Sequence, residues 1–358
     1  MCYTFNYVIL KVSNMFLNKS LIFMLLAVLA WMLYPPLSNL ILDRISPLSL
    51  AVFAHTFAAI SMLLISFVIL KFSKIKLMHF FSMDVFSKIS VPVLFSGFLI
   101  CANHLLLYMA LDTSEEYDVI VILIFEAWPV IFLYLDSILR REKGATSFNE
   151  YIYSFLAFFG FILMMLPKIK SDASSLDADL LKSTGFAFLG GLAMAVNCFF
   201  RMKSMDRWQE VSDTKGWGLS GLELGVLTET SVRCIAAPVL LIAFLLSNES
   251  LPVLTFVDFL LLLSIGVFIL AIGSLLYDIS IFYAKNASIG ALWYLMPVGA
   301  VLFLSILERE LPTINEMIAT IMIVLSNAFI GFNISLKKAM LISLLIFTTF
   351  LLILIPIH

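Results

Sequence analysis

The segment PVIFLYLDSILRRE (129–142) returns 168 residues later as PVGAVLFLSILERE (297–310). Seven of the fourteen positions are identical: Pro129/Pro297, Val130/Val298, Ser137/Ser305, Ile138/Ile306, Leu139/Leu307, Arg141/Arg309 and Glu142/Glu310. Apolar bias alone could produce the Ile and Leu matches. It does not readily produce a proline at one end and an Arg-Glu pair at the other.

Apolar runs surround both copies, near 21–41, 47–70, 91–111, 118–138, 150–167, 183–202, 224–246, 256–281, 287–306, 315–334 and 339–357. Each approaches the roughly 20 residues that cross a hydrocarbon core, so eleven spans are predicted. The last two are separated only by Ser335-Leu336-Lys337-Lys338. The composition agrees: of 358 residues, 62% are hydrophobic and 13% charged, against about 25% charged in a soluble domain. Water could not solvate so apolar a surface, so the lipid bilayer is the expected surroundings. Disorder, coiled coil and a secreted disulfide scaffold are excluded. A net charge of −2 provides no basic field for nucleic acid. Cys101, Cys198 and Cys234 lie inside apolar runs, and no CxxC or Cys/His spacing suggests a metal. No cofactor is expected. Tyr34-Pro35-Pro36, rather than a small-residue cleavage site, follows the first run, which is expected to stay in the membrane.

Orientation follows from the basic residues. With a cytoplasmic N-terminus, sixteen of the 22 Lys and Arg fall on the cytoplasmic side, Arg201 among them. Five fall outside (Arg44, Lys168, Lys170, Lys182 and Arg309), and Arg233 is left within a span. That is a positive-inside bias; the expected location is the cell (inner) membrane, multi-pass, with the N-terminus cytoplasmic. The two copies are five spans apart, an odd number, so they face opposite ways. The fold expected is an all-α polytopic membrane protein of two inverted five-helix repeats, 21–170 and 183–334. A cytoplasmic segment 1–20 precedes them and an eleventh helix, 339–357, follows. Many secondary transporters are built this way, with a site near the midplane between the halves.

Several pieces carry a family resemblance. They are Ala30-Trp31, Glu126-Ala127-Trp128-Pro129, FAFLGGLAMAVN (186–197), and Pro297 followed by Leu307-Glu308-Arg309-Glu310-Leu311-Pro312. In this order the chain resembles the drug/metabolite transporter superfamily, EamA type, over about 21–334. It departs in the eleventh run and in Met296, which stands where the first half has Trp128. Trp128-Pro129 leans toward the amino-acid-exporter branch. The resemblance places the third and fourth spans at a central cavity and the second and seventh nearer the periphery.

Polar groups at membrane depth are the candidate site, because a central charge costs about 2.5–3.5 kcal/mol on insertion scales. Glu126 in the fourth span reads as a partner for a substrate amine or as a proton-coupling carboxylate; the alternative is a structural ion pair. Glu229 and Arg233 lie one turn apart and can pair locally. The sharper alternative is an Arg233–Glu126 pair gating the cavity, so all three are candidate coupling or gating groups. Asn103 and His104 are cavity candidates of which at most one faces the centre, or else they hydrogen-bond between helices. His55 reads as structural. Pro35 and Pro36 free carbonyls near Trp31 and Met32, offering Trp31, Tyr34 and Asn39 to a ligand, or simply kink the helix. Trp128, Asn197, Trp293 and Tyr294 complete the predicted substrate-binding set. Asp278 is expected to reach the headgroups, and Asp136 to pair with Arg140.

No enzyme is expected. Tyr277-Asp278 is similar to half of an intramembrane aspartyl protease, but the GxGD partner is missing. No acyltransferase motif or nucleotide-binding loop appears. The sequence thus points to a secondary transporter, an exporter by resemblance, of small organic metabolites such as amino acids or amphipathic amines. It would work by alternating access. Alternatives are a non-transporting scaffold or sensor and an intramembrane enzyme. Expected partners are the bilayer and a small-molecule substrate, with a homodimer left open and no nucleic acid.

Overall fold

The structure, a computed structural model, describes residues 19–42, 44–72, 83–113, 118–139, 147–166, 178–284, 288–299, 313–331 and 334–343. Every regular element among them is helical. The first predicted span is broken into α1 (Lys19–Trp31) and α2 (Tyr34–Leu42). Two uninterrupted helices follow, α3 (Pro47–Phe72) and α4 (Met83–Thr113). The fourth span is broken into α5 (Asp118–Phe125) and α6 (Trp128–Leu139). Then come α7 (Phe148–Met165), α8 (Ala178–Lys215) and α9 (Gly221–Ser247). The eighth span starts as α10 (Phe256–Ser264), widens into a π-helix (Ile265–Gly273) and ends as α11 (Ser274–Ala284). A 3₁₀ segment (Ser288–Tyr294) and α12 (Ile314–Gly331) complete the set.

Seven of these helical stretches are long and apolar enough to cross a membrane, and three shorter apolar ones occupy the first, ninth and tenth predicted spans. The protein is an all-helical, multi-pass membrane protein. Residues 336–343 are helical, while the rest of the predicted eleventh helix lies outside the described residues, as do residues 1–18, Arg140 to Glu142 and 300–312.

The breaks have local causes. Pro35 and Pro36 cannot donate to the carbonyls of Trp31 and Met32, so α1 stops there. Pro129 likewise cannot donate to Phe125, and the chain turns at Glu126-Ala127. The Phe125 carbonyl faces Gly191 of α8, where a Cβ would stand 2.6 Å from it. Only glycine admits so close an approach. Four helices among the described residues open on reciprocal caps, Ser147/Glu150, Ser220/Glu223, Thr255/Asp258 and Thr313/Glu316, satisfying N–H groups that the first helical turn would otherwise leave unpaired.

Outer faces are apolar: Leu63, Leu64 and Phe67 on α3, Phe95 and Phe98 on α4, and Leu245 and Leu246 on α9 are exposed. Charged and polar side chains are inside instead, including His55, Asn197, Arg201, Glu229, Arg233 and Asp278. This distribution suits lipid outside and a polar centre. Packing is pairwise. α4 lies along α8, α1 along α11, α3 along α9, and α7 along α12, while α6 meets the 3₁₀ segment.

Candidate functional site

At the centre the helix breaks bring four aromatic rings together. Trp31, at the last turn of α1, has its ring centroid 5.2 Å from that of Trp293 in the 3₁₀ segment. Trp128, at the start of α6, lies 5.3 Å from Trp293 and 5.9 Å from Tyr277 of α11. Tyr277 and Trp293 are 6.0 Å apart and nearly perpendicular. These are edge-to-face and tilted contacts, the arrangement the ring quadrupoles favour. Tyr34 extends the group, 5.4 Å from Trp31. Gly273, at the end of the π-helix, lies against Trp31: a Cβ there would meet its ring atoms at 3.0 Å.

Glu126 sits in the α5–α6 turn. Trp293 donates from Nε1 to its carboxylate at 3.0 Å, and the Tyr294 hydroxyl donates to its main-chain carbonyl at 3.0 Å. Glu126 is half-buried, while Trp128, Trp293 and Tyr294 are buried. Tyr294 also stacks on Phe161 of α7.

Beside the aromatic group runs an ion-pair network. Arg201 of α8 donates from Nε to Asp278 Oδ1 at 2.8 Å and from Nη2 to Asp278 Oδ2 at 2.5 Å, and it also pairs with Glu229. Glu229 accepts from Arg233 Nε at 2.6 Å. Arg233 further donates to the Leu270 carbonyl at 2.7 Å and to Ser274 Oγ at 3.0 Å, and its Nη1 lies 3.0 Å from His55 Nδ1. Two guanidinium groups thus meet two carboxylates, all four residues less than 5% exposed. In so dry a place each charge needs its partner, since an unpaired one would carry the whole desolvation penalty. Leu270 belongs to the π-helix, whose wider hydrogen-bond rings leave carbonyls for other donors.

A cavity of about 20 Å³ lies between the two groups. It is lined by Trp31, Ile100, Met194, Asn197, Cys198, Arg201, Ser274, Tyr277 and Trp293.

Several expectations change on this geometry. The Glu126–Arg233 pair does not form: Arg233 is held by Glu229 and the π-helix, whereas Glu126 faces Trp293. Asp278 does not reach the headgroups but binds Arg201. Arg201, counted with the cytoplasmic-side cations, is buried and paired with Asp278 and Glu229, and α8 continues fourteen residues beyond it to Lys215. Asn103 donates to the Gly190 carbonyl of α8 at 3.0 Å, a helix–helix bond. His104 bonds to Ile100 in its own helix at 2.9 Å, its ring edge-on to His55 at 4.9 Å. Neither Asn103 nor His104 lines the cavity. Asn197 does line it and accepts from Ser96 at 2.5 Å. Asp136 is buried, and its expected partner Arg140 lies outside the described residues. The side chain of Asn39 is also outside them. Arg201, Ser274 and Tyr277 are cavity residues the sequence reading passed over.

Comparison with known proteins adds one family. Residues 219–332 match the EamA-like transporter family. This match spans α9, the eighth span, the 3₁₀ segment and α12, the part of the chain carrying Glu229, Arg233, Tyr277, Asp278 and Trp293. The family is part of the drug/metabolite transporter superfamily. Among curated proteins none matches. A solved crystal structure aligns over 87% of this chain and 96% of its own with a TM-score of 0.65. At 14% identity that likeness concerns the fold alone. The EamA-like match is to transporters and gives no support to an enzyme reading.

Proposed function

We propose that this protein is a secondary carrier that exports small organic metabolites, amino acids or amphipathic amines among them, across the inner membrane with its N-terminus in the cytoplasm. The observation carrying this reading is the central group of Trp31, Trp128, Tyr277 and Trp293 on four broken or irregular helices, next to Glu126 and the Arg201 network. Discontinuous helices meeting at mid-membrane are where carriers bind solute. Aromatic faces and a carboxylate suit an amine; a guanidinium suits a carboxylate. The cavity is far below the several hundred Å³ a whole metabolite needs, so this is read as a collapsed state that opens as the halves rock.

Support for two inverted repeats comes from the packing. A two-fold axis that exchanges each span with the one five later turns the third–sixth contact into the eighth–first contact. Both pairs are packed here, α4 on α8 and α11 on α1. The same axis would leave second–seventh, fourth–ninth and fifth–tenth contacts unchanged, and these are packed too. Glu126 and Tyr294 are 168 residues apart, the offset of the sequence repeat, and they bond to each other as equivalent residues at such an axis would.

Counterflow is the test. Purified protein in liposomes loaded with a mixed metabolite extract should exchange labelled solute without ATP. If a broad panel of amino acids, amines and nucleosides, followed by whole-cell extract, exchanges no faster than in empty liposomes, the carrier reading fails.

A further inference from the structure

The polar groups around the central cavity are unbalanced. Trp31 Nε1 and Tyr277 Oη are buried without a hydrogen-bond partner, and both residues line the cavity. Trp31 is 8% and Tyr277 5% exposed. The indole can only donate, and the Cys198 thiol beside the tyrosine is a weak acceptor. Ser274 accepts from Arg233, which leaves its own O–H to be directed elsewhere. Asn197 uses its carbonyl oxygen on Ser96, which leaves its NH₂ only a distant sulfur, Met194 Sδ at 3.9 Å. Arg201 adds a guanidinium edge. The natural acceptors, Asp278 and Glu229, are engaged with Arg201 and are not among the lining residues. The cavity is therefore rich in donors and poor in lone pairs, a combination that buried sites rarely leave uncorrected.

We infer that this cavity holds the carboxylate of the transported solute, bound by Trp31 Nε1–H, Tyr277 Oη–H and Arg201. The inference rests on the carrier reading for what that carboxylate is attached to, and it selects amino acids over simple amines. An ionised carboxylate brings about four lone-pair sites and no donor, whereas an ammonium brings three donors and no acceptor. Charge favours a monoanion. Arg201 and Arg233 are already balanced by Glu229 and Asp278, so a bound carboxylate leaves one negative charge, which an amino acid offsets with its own ammonium, whereas a phosphate dianion leaves two. The volume of about 20 Å³ fits a group of a few atoms, since a single water needs about 10–15 Å³ on the same measure.

The experiment uses matched solutes differing by one carboxylate: tyrosine with tyramine, and lysine with cadaverine. In counterflow the amino acid of a pair should exchange at least tenfold better than its amine. Trp31→Phe and Tyr277→Phe keep a ring but remove a donor. Each should raise the half-saturating concentration about tenfold and narrow the preference for the acid; Tyr277→Phe, which keeps the whole ring, should leave the melting temperature unchanged. A second measurement does not need transport: acetate and benzoate should raise the melting temperature of the detergent-solubilised protein more than acetamide and benzamide do. Trp31→Phe should abolish that difference. If an amine exchanges as well as its amino acid, or phosphate monoesters prove the better substrates, the inference is overturned while the carrier reading survives. If carboxylates stabilise the protein but nothing exchanges, the site stands and the carrier reading fails. Identical melting with acids and amides, with both variants kinetically normal, means the cavity takes water only and overturns the inference.

Discussion

Replacing Arg233 by methionine tests how tightly the buried charges depend on one another. The change removes donors to Glu229, Leu270 O and Ser274 and the contact to His55. It leaves Arg201 facing both Glu229 and Asp278, a net buried charge of minus one. Breaking a buried pair in this way costs about 3–5 kcal/mol. Glu229→Gln has the opposite imbalance, two guanidinium groups against Asp278 alone, and a similar expected cost. Combining the two restores neutrality: Arg201 keeps Asp278, the introduced amide still offers Arg201 a carbonyl, and the main residual loss is the unpaired Leu270 carbonyl, about 1–3 kcal/mol. The double variant should therefore be more stable than either single one. Unfolding in mixed micelles by an increasing fraction of denaturing detergent, followed by tryptophan fluorescence, measures all three against the parent. Additive single costs would refute the coupled network and leave four independently solvated charges.

Three further outcomes are expected. Glu126→Gln should abolish or uncouple transport while expression and melting stay near those of the parent, because the amide still accepts from Trp293; normal exchange across pH 5–8 would remove Glu126 from the site. Gly191→Ala should destabilise the protein by about 1–3 kcal/mol, as its Cβ would lie 2.6 Å from the Phe125 carbonyl; a parent-like melting temperature contradicts that close approach. Activity-reporter fusions after Lys338 and after His358 should report opposite sides of the membrane, and two cytoplasmic signals would show that 339–357 does not cross.

The membrane spans were legible because lipid demands apolar runs of fixed length. Pro35 and Pro36 announced the break in the first span because proline cannot donate; Pro129 carries the same signal in the fourth span but enters the sequence reading only through the repeat and the resemblance. The Glu229–Arg233 pair could be read from its spacing. Arg201 could not be placed by hydropathy, since it stands where an apolar run ends and a charged stretch begins. A signal was present all the same: buried Arg201, Met205, Trp208, Val211 and Ser212 recur at three- and four-residue intervals through otherwise polar sequence. That pattern marks one helix face continuing past the apolar run. Asp278 is expected at the headgroups from its depth near the end of the eighth run, and Tyr277 is given no place there; depth does not tell which face a residue takes, and the π-helix ahead of both sets that face.

That widened stretch makes chain length a determinant of the binding centre. Each α-helical residue advances about 100° around the axis, and a π-helical residue advances less because each hydrogen bond closes one residue further on. Ile265–Gly273 therefore fixes the azimuth at which Ser274, Tyr277 and Asp278 are presented. Losing or gaining one residue there would rotate all three together, taking the tyrosine from the cavity and the aspartate from Arg201 without altering any of those side chains. Relatives differing by a single-residue gap in this stretch would then differ in solute preference, while substitutions along the lipid-facing side of the same helix leave that preference alone.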